Sequence, residues 1–205
     1  MKDGTAKICS LRDVKFLWYF LIHNKIGGRQ MKLFLVAGKA RSGKDVTAKY
    51  IVEYYNQLEE KTVITRFSKY IKLLAMEMTD WNGNEDNKPR KFLQKMGAYI
   101  RETLDNPYFF IRRMQEDIEI YERFFDNVVI SDVRLPDEIE QMKKHSKNTY
   151  SIKVVNRKEN DLSKSEKNHP TETLLDDYED FDYIIYNDND ESLKEKVFEI
   201  LGSVE

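Results

Sequence analysis

Residues 33–58 hold the feature that most constrains the fold: an apolar run, a glycine-rich loop and a helical pattern in direct succession. The run Leu33–Ala37 predicts a buried strand, and residues 38–45 then read Gly-Lys-Ala-Arg-Ser-Gly-Lys-Asp. Glycines let backbone N–H groups turn toward phosphate oxygens, while a helix N-terminus and a lysine add positive charge. The stretch therefore predicts a phosphate-binding loop. A glycine turn before an ordinary helix is the alternative.

The loop departs from the usual pattern at one position. Asp45 follows Lys44, where Ser or Thr normally holds magnesium. A carboxylate is also an oxygen ligand suited to this ion. We therefore expect Asp45 to be a magnesium-side residue, with a helix cap as the alternative.

Composition limits the function classes. The 205 residues are 40% hydrophobic and 34% charged, which suits one globular domain, and the net charge of -2 argues against a nucleic-acid-binding surface. A single cysteine excludes a disulfide framework and indicates a reducing compartment. We expect a cytoplasmic protein.

Residues 1–30 precede the first core strand and carry no motif. The apolar run Phe16–Ile22 is far shorter than the ~20 residues that span a membrane, and no small-residue cleavage site follows it. We interpret 1–30 as a dispensable extension before Met31; a helix that docks on the domain or on a partner is the alternative.

From Met31 onward, strand and helix patterns alternate. Predicted strands are Leu33–Ala37, Val63–Phe67, Val128–Ser131, Ile152–Val155 and Tyr183–Tyr186. Predicted helices are Lys44–Glu60, Ser68–Met78, Arg90–Leu104, Pro107–Phe125, Pro136–Lys144 and Ser192–Leu201. This alternation predicts a parallel sheet covered on both faces, with ligands beyond the carboxyl ends of the strands. The polar stretch over about 156–172 predicts a lid, with a disordered loop as the alternative.

Polar groups follow the predicted strands. Asp132 and Arg134 come directly after the third strand, where an acidic residue is the usual magnesium-side partner of a phosphate loop. A helix or turn cap is the alternative for Asp132, and a surface ion pair is the alternative for Arg134. Several basic groups thus converge on one edge of the sheet, as phosphoryl transfer requires.

Several segments in order resemble the phage-type deoxynucleoside monophosphate kinases, a family of the P-loop kinase superfamily. The most specific are the loop with Asp45 and the stretch Ser131–Glu138, which is similar to the family's S-D-x-R-x-x-x-E. Arg66–Ser68 with Lys72, Arg90–Gly97 with Arg101, His169–Glu172 and Phe181–Asp188 also resemble family segments. The resemblance covers about 31–201 and implies a five-stranded sheet of order 2-3-1-4-5.

The resemblance also implies a role for each matching residue. ATP would be bound by the loop, its first helical residues and the last strand end, that is by Gly38, Lys39, Ala40, Arg41, Ser42, Gly43, Lys44, Asp45, Val46 and Asn187. Mg²⁺ would be held by Asp45 and Asp132. The acceptor would be bound by Lys72, Gln94, Arg101 and Arg134, with an exposed helix position as the alternative for Gln94. Lys44, Asp132, Arg134 and the lid residue Arg157 would serve catalysis.

The sequence thus predicts an enzyme of residues 31–205 that phosphorylates a deoxynucleoside monophosphate with ATP by direct in-line transfer. Another small-molecule phosphate kinase stays open, because the phosphomevalonate kinases of animals also carry aspartate after the loop lysine. A catalytically inactive nucleotide-binding regulatory protein is the other alternative. The expected partners are the monophosphate and ATP, without a nucleic acid polymer or a membrane. A homodimer is left open.

Overall fold

The computed structural model describes residues 30–157 and 173–204, and Met31–Glu205 forms one compact unit. Its centre is a five-stranded parallel sheet with the order β2-β3-β1-β4-β5. The strands are β1 Lys32–Ala37, β2 Thr62–Thr65, β3 Asn127–Val133, β4 Thr149–Asn156 and β5 Tyr183–Asn187. This order is the one that the family resemblance implies.

Helices connect successive strands and cover both faces of the sheet. They are α1 Lys44–Gln57, α2 Ser68–Met78, α3 Arg90–Ala98, α4 Phe109–Tyr121, α5 Pro136–His145 and α6 Ser192–Val204. Within the described residues, no helix has both the length and the apolar character needed to cross a membrane.

Alternate residues of β1 supply two separate hydrophobic cores. Leu33 and Leu35 face a core built with α2 to α5, whereas Phe34 and Val36 face one built with α1 and α6. All four side chains are fully buried, and burial of one such side chain stabilises the fold by about 1.5–3 kcal/mol. The central strand is therefore held from both sides, and the loop that follows it starts from a rigid position.

Most element boundaries differ from the predicted ones by a few residues, and the largest differences have local causes. The predicted helix Arg90–Leu104 is α-helical only to Ala98 and continues as a π-helical turn over Tyr99–Thr103. The predicted helix start at Pro107 moves to Phe109, because residues 107 and 108 form a turn. Strand β2 ends at Thr65, because the Asp132 carboxylate binds the next backbone amides and turns the chain into α2.

Candidate active site

The loop between β1 and α1 needs glycine at two positions. Gly38 has φ +154° and Gly43 has φ +102°, backbone conformations that residues with a side chain rarely adopt. A Cβ atom at Gly38 would lie 2.4 Å from Ser42 Oγ and 2.6 Å from the Val154 carbonyl oxygen. A Cβ atom at Gly43 would lie 2.4 Å from Asn187 Nδ2. The two glycines therefore allow the close approach of β4 and β5 to the loop.

Two asparagines at the ends of β4 and β5 hold the loop. The buried Asn187 donates from Nδ2 to the Ser42 carbonyl at 2.9 Å and accepts the Asn189 amide at Oδ1 at 2.8 Å. Asn156 Nδ2 donates to the carbonyl of Arg41 at 3.3 Å. Asn187 therefore positions the phosphate loop, and its predicted contact with ATP remains a prediction.

Lys44 lies within the loop and is only 7% exposed. Its ammonium group donates to the Lys39 carbonyl oxygen at 3.1 Å. Burial and then the nearby charge of Arg134 lower the Lys44 pKa, against the opposing effect of Asp45 and Asp132, and the net pKa is about 8. A buried ammonium group in this setting suits the binding of an anion.

Ser42 provides a test of whether the loop fits phosphate. Its hydroxyl is buried at 2% exposure, and its Oγ has no hydrogen-bond partner among the described residues. Buried polar atoms normally have a partner, so an unpartnered one inside a glycine loop points to a missing ligand. Together with Lys44 and the α1 N-terminus, this geometry fits phosphate oxygens.

Asp45, in the first turn of α1, accepts hydrogen bonds from two neighbouring strand ends. Arg66 donates to its Oδ1 at 2.9 Å, and the Ser131 hydroxyl lies 3.4 Å from the same oxygen. Burial raises the Asp45 pKa, but the hydrogen bond and charge of Arg66 outweigh it, and the net effect is a lowered pKa. Asp45 is thus an ionised carboxylate at the mouth of the loop.

Asp132 uses both carboxylate oxygens as backbone acceptors. Oδ1 accepts the Phe67 amide at 2.8 Å and Oδ2 accepts the Ser68 amide at 3.0 Å. The alternative of a helix cap is therefore seen in this structure, at the start of α2. Any contact with a metal would be additional to this capping.

Asp45 and Asp132 supply two carboxylates, which suits magnesium but not a metal ion whose ligands all come from the protein. Within the described residues, no group of three or more His, Cys, Asp or Glu side chains could hold a metal ion. Magnesium is usually held by one or two carboxylates, with water and substrate phosphates completing its coordination. Two carboxylates beside a phosphate loop meet that requirement.

Arg134 follows β3 and is fixed by the start of α5. The Glu138 carboxylate accepts the backbone amides of Arg134 at 2.7 Å and of Leu135 at 3.1 Å. Burial lowers the pKa of Arg134 and raises that of Glu138 to about 7. The guanidinium group therefore stands on a rigid backbone in a largely desolvated position.

A cavity of about 350 Å³ opens beside the loop. It is lined by the phosphate loop, the ends of β3 and β4, and the segment before β5: Gly38, Lys39, Ser42, Arg134, Lys153, Val154, Val155, Asn156, Leu175 and Asp176. Lys39 pairs with Asp176 at 2.7 Å, and Lys153 donates to the Leu175 carbonyl oxygen at 2.7 Å. Its size is typical of a site for one small ligand.

The sequence interpretation assigned no site role to six residues of this cavity: Lys153, Val154, Val155, Asn156, Leu175 and Asp176. Lys153 carried a signal that was available, because it is a cation inside the predicted strand Ile152–Val155. Leu175 and Asp176 follow the predicted lid and carry no motif, so only the fold brings them to the site. Arg66, the partner of Asp45, lies in a recognised segment but had no assigned role.

Among the predicted acceptor residues, Arg101 lies close enough to Glu138, which caps the Arg134 backbone, for its charge to counteract the rise of the Glu138 pKa. Arg134 lines the cavity. Lys72 instead pairs with Glu85 at 3.4 Å, and the Arg101 guanidinium lies 5.9 Å from the centre of the Phe110 ring. Gln94 is exposed on α3, which is the alternative stated for it.

Arg157, the lid residue of the predicted catalytic set, is among the described residues. Its guanidinium lies 4.5 Å from the Tyr186 ring centre and 3.5 Å from Asp188. Residues 158–172, with His169 and Glu172, lie outside the described residues, and so does the extension 1–29. The predictions on the lid and on the extension remain predictions.

Two of the solved structures that resemble this chain are distant from it in sequence. A protein from Chloroflexus aurantiacus, described as a putative kinase, is 15% identical with a TM-score of 0.39, and the match covers 63% of this chain and 62% of that one. The chain thus spans less than two thirds of that protein. Kti12 from Chaetomium thermophilum, solved with ADP-AlF3, is 15% identical with a TM-score of 0.47, over 84% of this chain and 98% of that one.

Comparison with sequence families is more informative. No curated protein matches the chain. The family model for deoxynucleotide monophosphate kinase matches residues 57–197, which is more than half of the 205 residues. The match begins after the phosphate loop, so the loop geometry and the family match are separate observations. The chain belongs to the deoxynucleotide monophosphate kinase family.

Proposed function

We propose that the protein transfers the γ-phosphoryl group of ATP to a deoxynucleoside monophosphate and forms the diphosphate. The observation that carries this proposal is the cavity of about 350 Å³, because it joins the phosphate loop at Gly38 and Ser42 to the cations Arg134 and Lys153. A protein that only bound ATP would need the loop but no second cationic group facing it. Membership of the family supports the same reaction.

On the donor side, Lys44 and the loop amides bind the β- and γ-phosphates. With a pKa of about 8, Lys44 is mostly protonated at pH 7. Because the ammonium group is removed from water, its attraction for the transferring phosphoryl group is stronger than that of a surface lysine. Asn187 contributes indirectly, by fixing the Ser42 carbonyl.

On the acceptor side, Arg134 binds the phosphate of the monophosphate. A planar guanidinium group binds two phosphate oxygens at once, and the Glu138 cap fixes the backbone that carries it. Val154 and Leu175 offer an apolar wall for the nucleoside, and Lys153 adds a second cation. Lys72 and Arg101 remain assigned to the acceptor by resemblance. To contact it, Lys72 would leave Glu85, and Arg101 would leave Phe110.

Magnesium is the implied metal, and its chemistry is to neutralise the charge that develops on the phosphates. Asp45 would hold it directly, because the side chain is 60% exposed at the mouth of the loop. Asp132 would act through water, because both of its oxygens accept amides. Phosphoryl transfer then needs alignment and charge stabilisation, and no covalent protein intermediate.

In the reaction, an oxygen of the acceptor phosphate attacks the γ-phosphorus, and the bond to the β–γ bridging oxygen breaks. Arg134 holds the attacking group, and Lys44 holds the group under transfer. Arg157, at the edge of the predicted lid, would leave Tyr186 and Asp188 and close over the phosphates. Closure would exclude water, which otherwise competes as an acceptor.

The test is a coupled assay of ATP consumption with deoxynucleoside monophosphates, ribonucleoside monophosphates and phosphomevalonate. We expect turnover with at least one deoxynucleoside monophosphate. Lys44→Ala should slow it on the order of several hundred-fold, because a catalytic charge contact contributes ~3–4 kcal/mol. Lys61→Ala, at an exposed position before β2, is the matched control and should change little.

Two results would contradict the proposal. Turnover with phosphomevalonate alone would change the substrate class. Tight ATP binding without transfer to any acceptor would indicate a nucleotide-binding regulatory protein.

A further inference from the structure

Asp45 and Arg66 form an ion pair between the phosphate loop and the strand end beside it. The Arg66 guanidinium donates to Asp45 Oδ1 at 2.9 Å, and the Ser131 hydroxyl lies 3.4 Å from the same oxygen. Asp45 Oδ2 makes no hydrogen bond with any residue of 30–157 or 173–204. One oxygen of the carboxylate is therefore held by a cation, and the other is available.

The backbone that carries Arg66 is fixed by Asp132. The Asp132 carboxylate accepts the amides of Phe67 and Ser68, the two residues directly after Arg66. The two acidic residues assigned to the metal thus meet Arg66 in different ways: Asp132 holds its backbone turn, and Asp45 pairs with its side chain. Such a placement is more specific than that of a surface arginine that pairs by chance.

The pair is nevertheless weak enough to exchange. The side chains of Arg66 and Asp45 are 44% and 60% exposed, and ion pairs between exposed groups contribute little. Magnesium, a compact divalent ion that prefers carboxylate oxygens, competes well for the same group. A guanidinium group and a magnesium ion would therefore alternate at Asp45.

We propose that Arg66 is a positioning residue that neutralises Asp45 while no metal is bound, and releases this carboxylate when magnesium arrives with the nucleotide. Without Arg66, the free Asp45 charge would repel the phosphates of a metal-free nucleotide. With magnesium present, loss of Arg66 removes a competitor for Asp45. The inference rests on the proposed function only in that the loop must bind a magnesium nucleotide.

The test measures ADP binding to the full chain by calorimetry, once in MgCl₂ and once in EDTA, at low ionic strength. Arg66→Gln should weaken ADP binding about two- to fivefold in EDTA, the range for one exposed ion pair. In MgCl₂ the affinity should stay unchanged or increase. The ratio of the Kd in EDTA to the Kd in MgCl₂ should therefore be higher for Arg66→Gln than for the wild type. Addition of ~0.5 M KCl should reduce this difference, because salt screens the charges.

Three further variants isolate the pair. Arg66→Lys keeps the charge and should keep most of the wild-type ratio. Lys61→Gln removes one positive charge at the other end of β2, from an exposed side chain, and should leave the ratio unchanged. In an Asp45→Asn background, Arg66→Gln should no longer change the ratio.

The outcomes separate the two proposals. If wild-type protein binds no ADP under either condition, the proposed function fails, and this inference fails with it. If wild-type protein binds ADP and transfers phosphate, but Arg66→Gln weakens ADP equally in MgCl₂ and EDTA, Arg66 has a purely structural or phosphate-binding role and this inference alone is wrong. A higher magnesium requirement in Arg66→Gln would also overturn it, because Arg66 would then support the metal.

Discussion

We expect the buried charge of Lys44 to destabilise the folded protein, and the variant Lys44→Met tests this expectation. The side chain is 7% exposed, and burial, followed by the charge of Arg134, lowers its pKa from 10.5 to about 8. The protonated form is therefore less favourable in the folded protein than in the unfolded chain. Methionine has a similar length, carries no charge and suits a buried position.

The expected magnitude follows from the pKa difference. A difference of about 2.5 pKa units corresponds to about 3 kcal/mol of unfolding free energy at pH 7, where Lys44 is protonated in both states. Loss of the hydrogen bond to the Lys39 carbonyl oxygen offsets about 1 kcal/mol of this. Lys44→Met should therefore stabilise the protein by about 2 kcal/mol, or roughly 4–8 °C in Tm for a chain of this size.

The stability advantage of Lys44→Met over the wild type should decrease as pH rises. Between pH 8 and 10.5 the unfolded chain still binds the Lys44 proton while the folded protein has lost it, so the wild-type stability gains from this group as pH rises. The advantage of Lys44→Met should thus shrink by about 2 kcal/mol between pH 7 and pH 9.5.

Urea unfolding of both proteins at the two pH values measures the difference, and Lys61→Met, at an exposed lysine, is the control that should show no such trend. A Lys44→Met variant that is less stable than wild type at pH 7 would refute the reasoning. An advantage that does not depend on pH would refute it as well, since the gain would then come from packing and not from charge.

Four regions give further predictions. Gly43→Ala should cost about 1–3 kcal/mol in urea unfolding, because φ is +102° and the new Cβ would lie 2.4 Å from Asn187 Nδ2; unchanged stability would show that the loop relaxes freely. Arg134→Lys should raise the KM for the monophosphate far more than that for ATP, and equal increases would misplace the acceptor site. Arg157→Ala should lower kcat and increase ATP hydrolysis without acceptor, and a wild-type ratio of transfer to hydrolysis would remove Arg157 from the lid. A protein that starts at Met31 should keep the Tm and turnover of the full chain, and a large loss in either would give residues 1–30 a role.

Much of the fold could be predicted because its signals are local. The apolar run at 33–37, the glycines at 38 and 43 and the helical periodicity after Lys44 each specify their own element, and the family resemblance supplied the sheet order. The differences arise where a distant group acts on the backbone. Strand β2 stops at Thr65 because the Asp132 carboxylate, 65 residues further along the chain, takes the Phe67 amide.

The site was less predictable than the fold for the same reason. Arg134 could be located because it directly follows a strand of the central sheet. The cavity wall at Leu175 and Asp176 could not, since no local pattern places that segment next to the loop. Lys72 and Arg101 were assigned by family likeness, which identifies a residue type at a position but not its partner in the ligand-free protein.

The charges around Lys44 explain why a fold would keep such an unfavourable residue. The positive charges of Arg134 and Arg66 both lower the Lys44 pKa, and burial lowers that of Arg134, so the ligand-free site brings desolvated cations together. Asp45 and Asp132 compensate only in part, because one pairs with Arg66 and the other caps α2. A polyphosphate placed among these cations would relieve their repulsion, and the cost of about 3 kcal/mol at Lys44 would then return as binding free energy. Under the proposed function, the cations that destabilise the loop are therefore the groups that would bind the nucleotide phosphates.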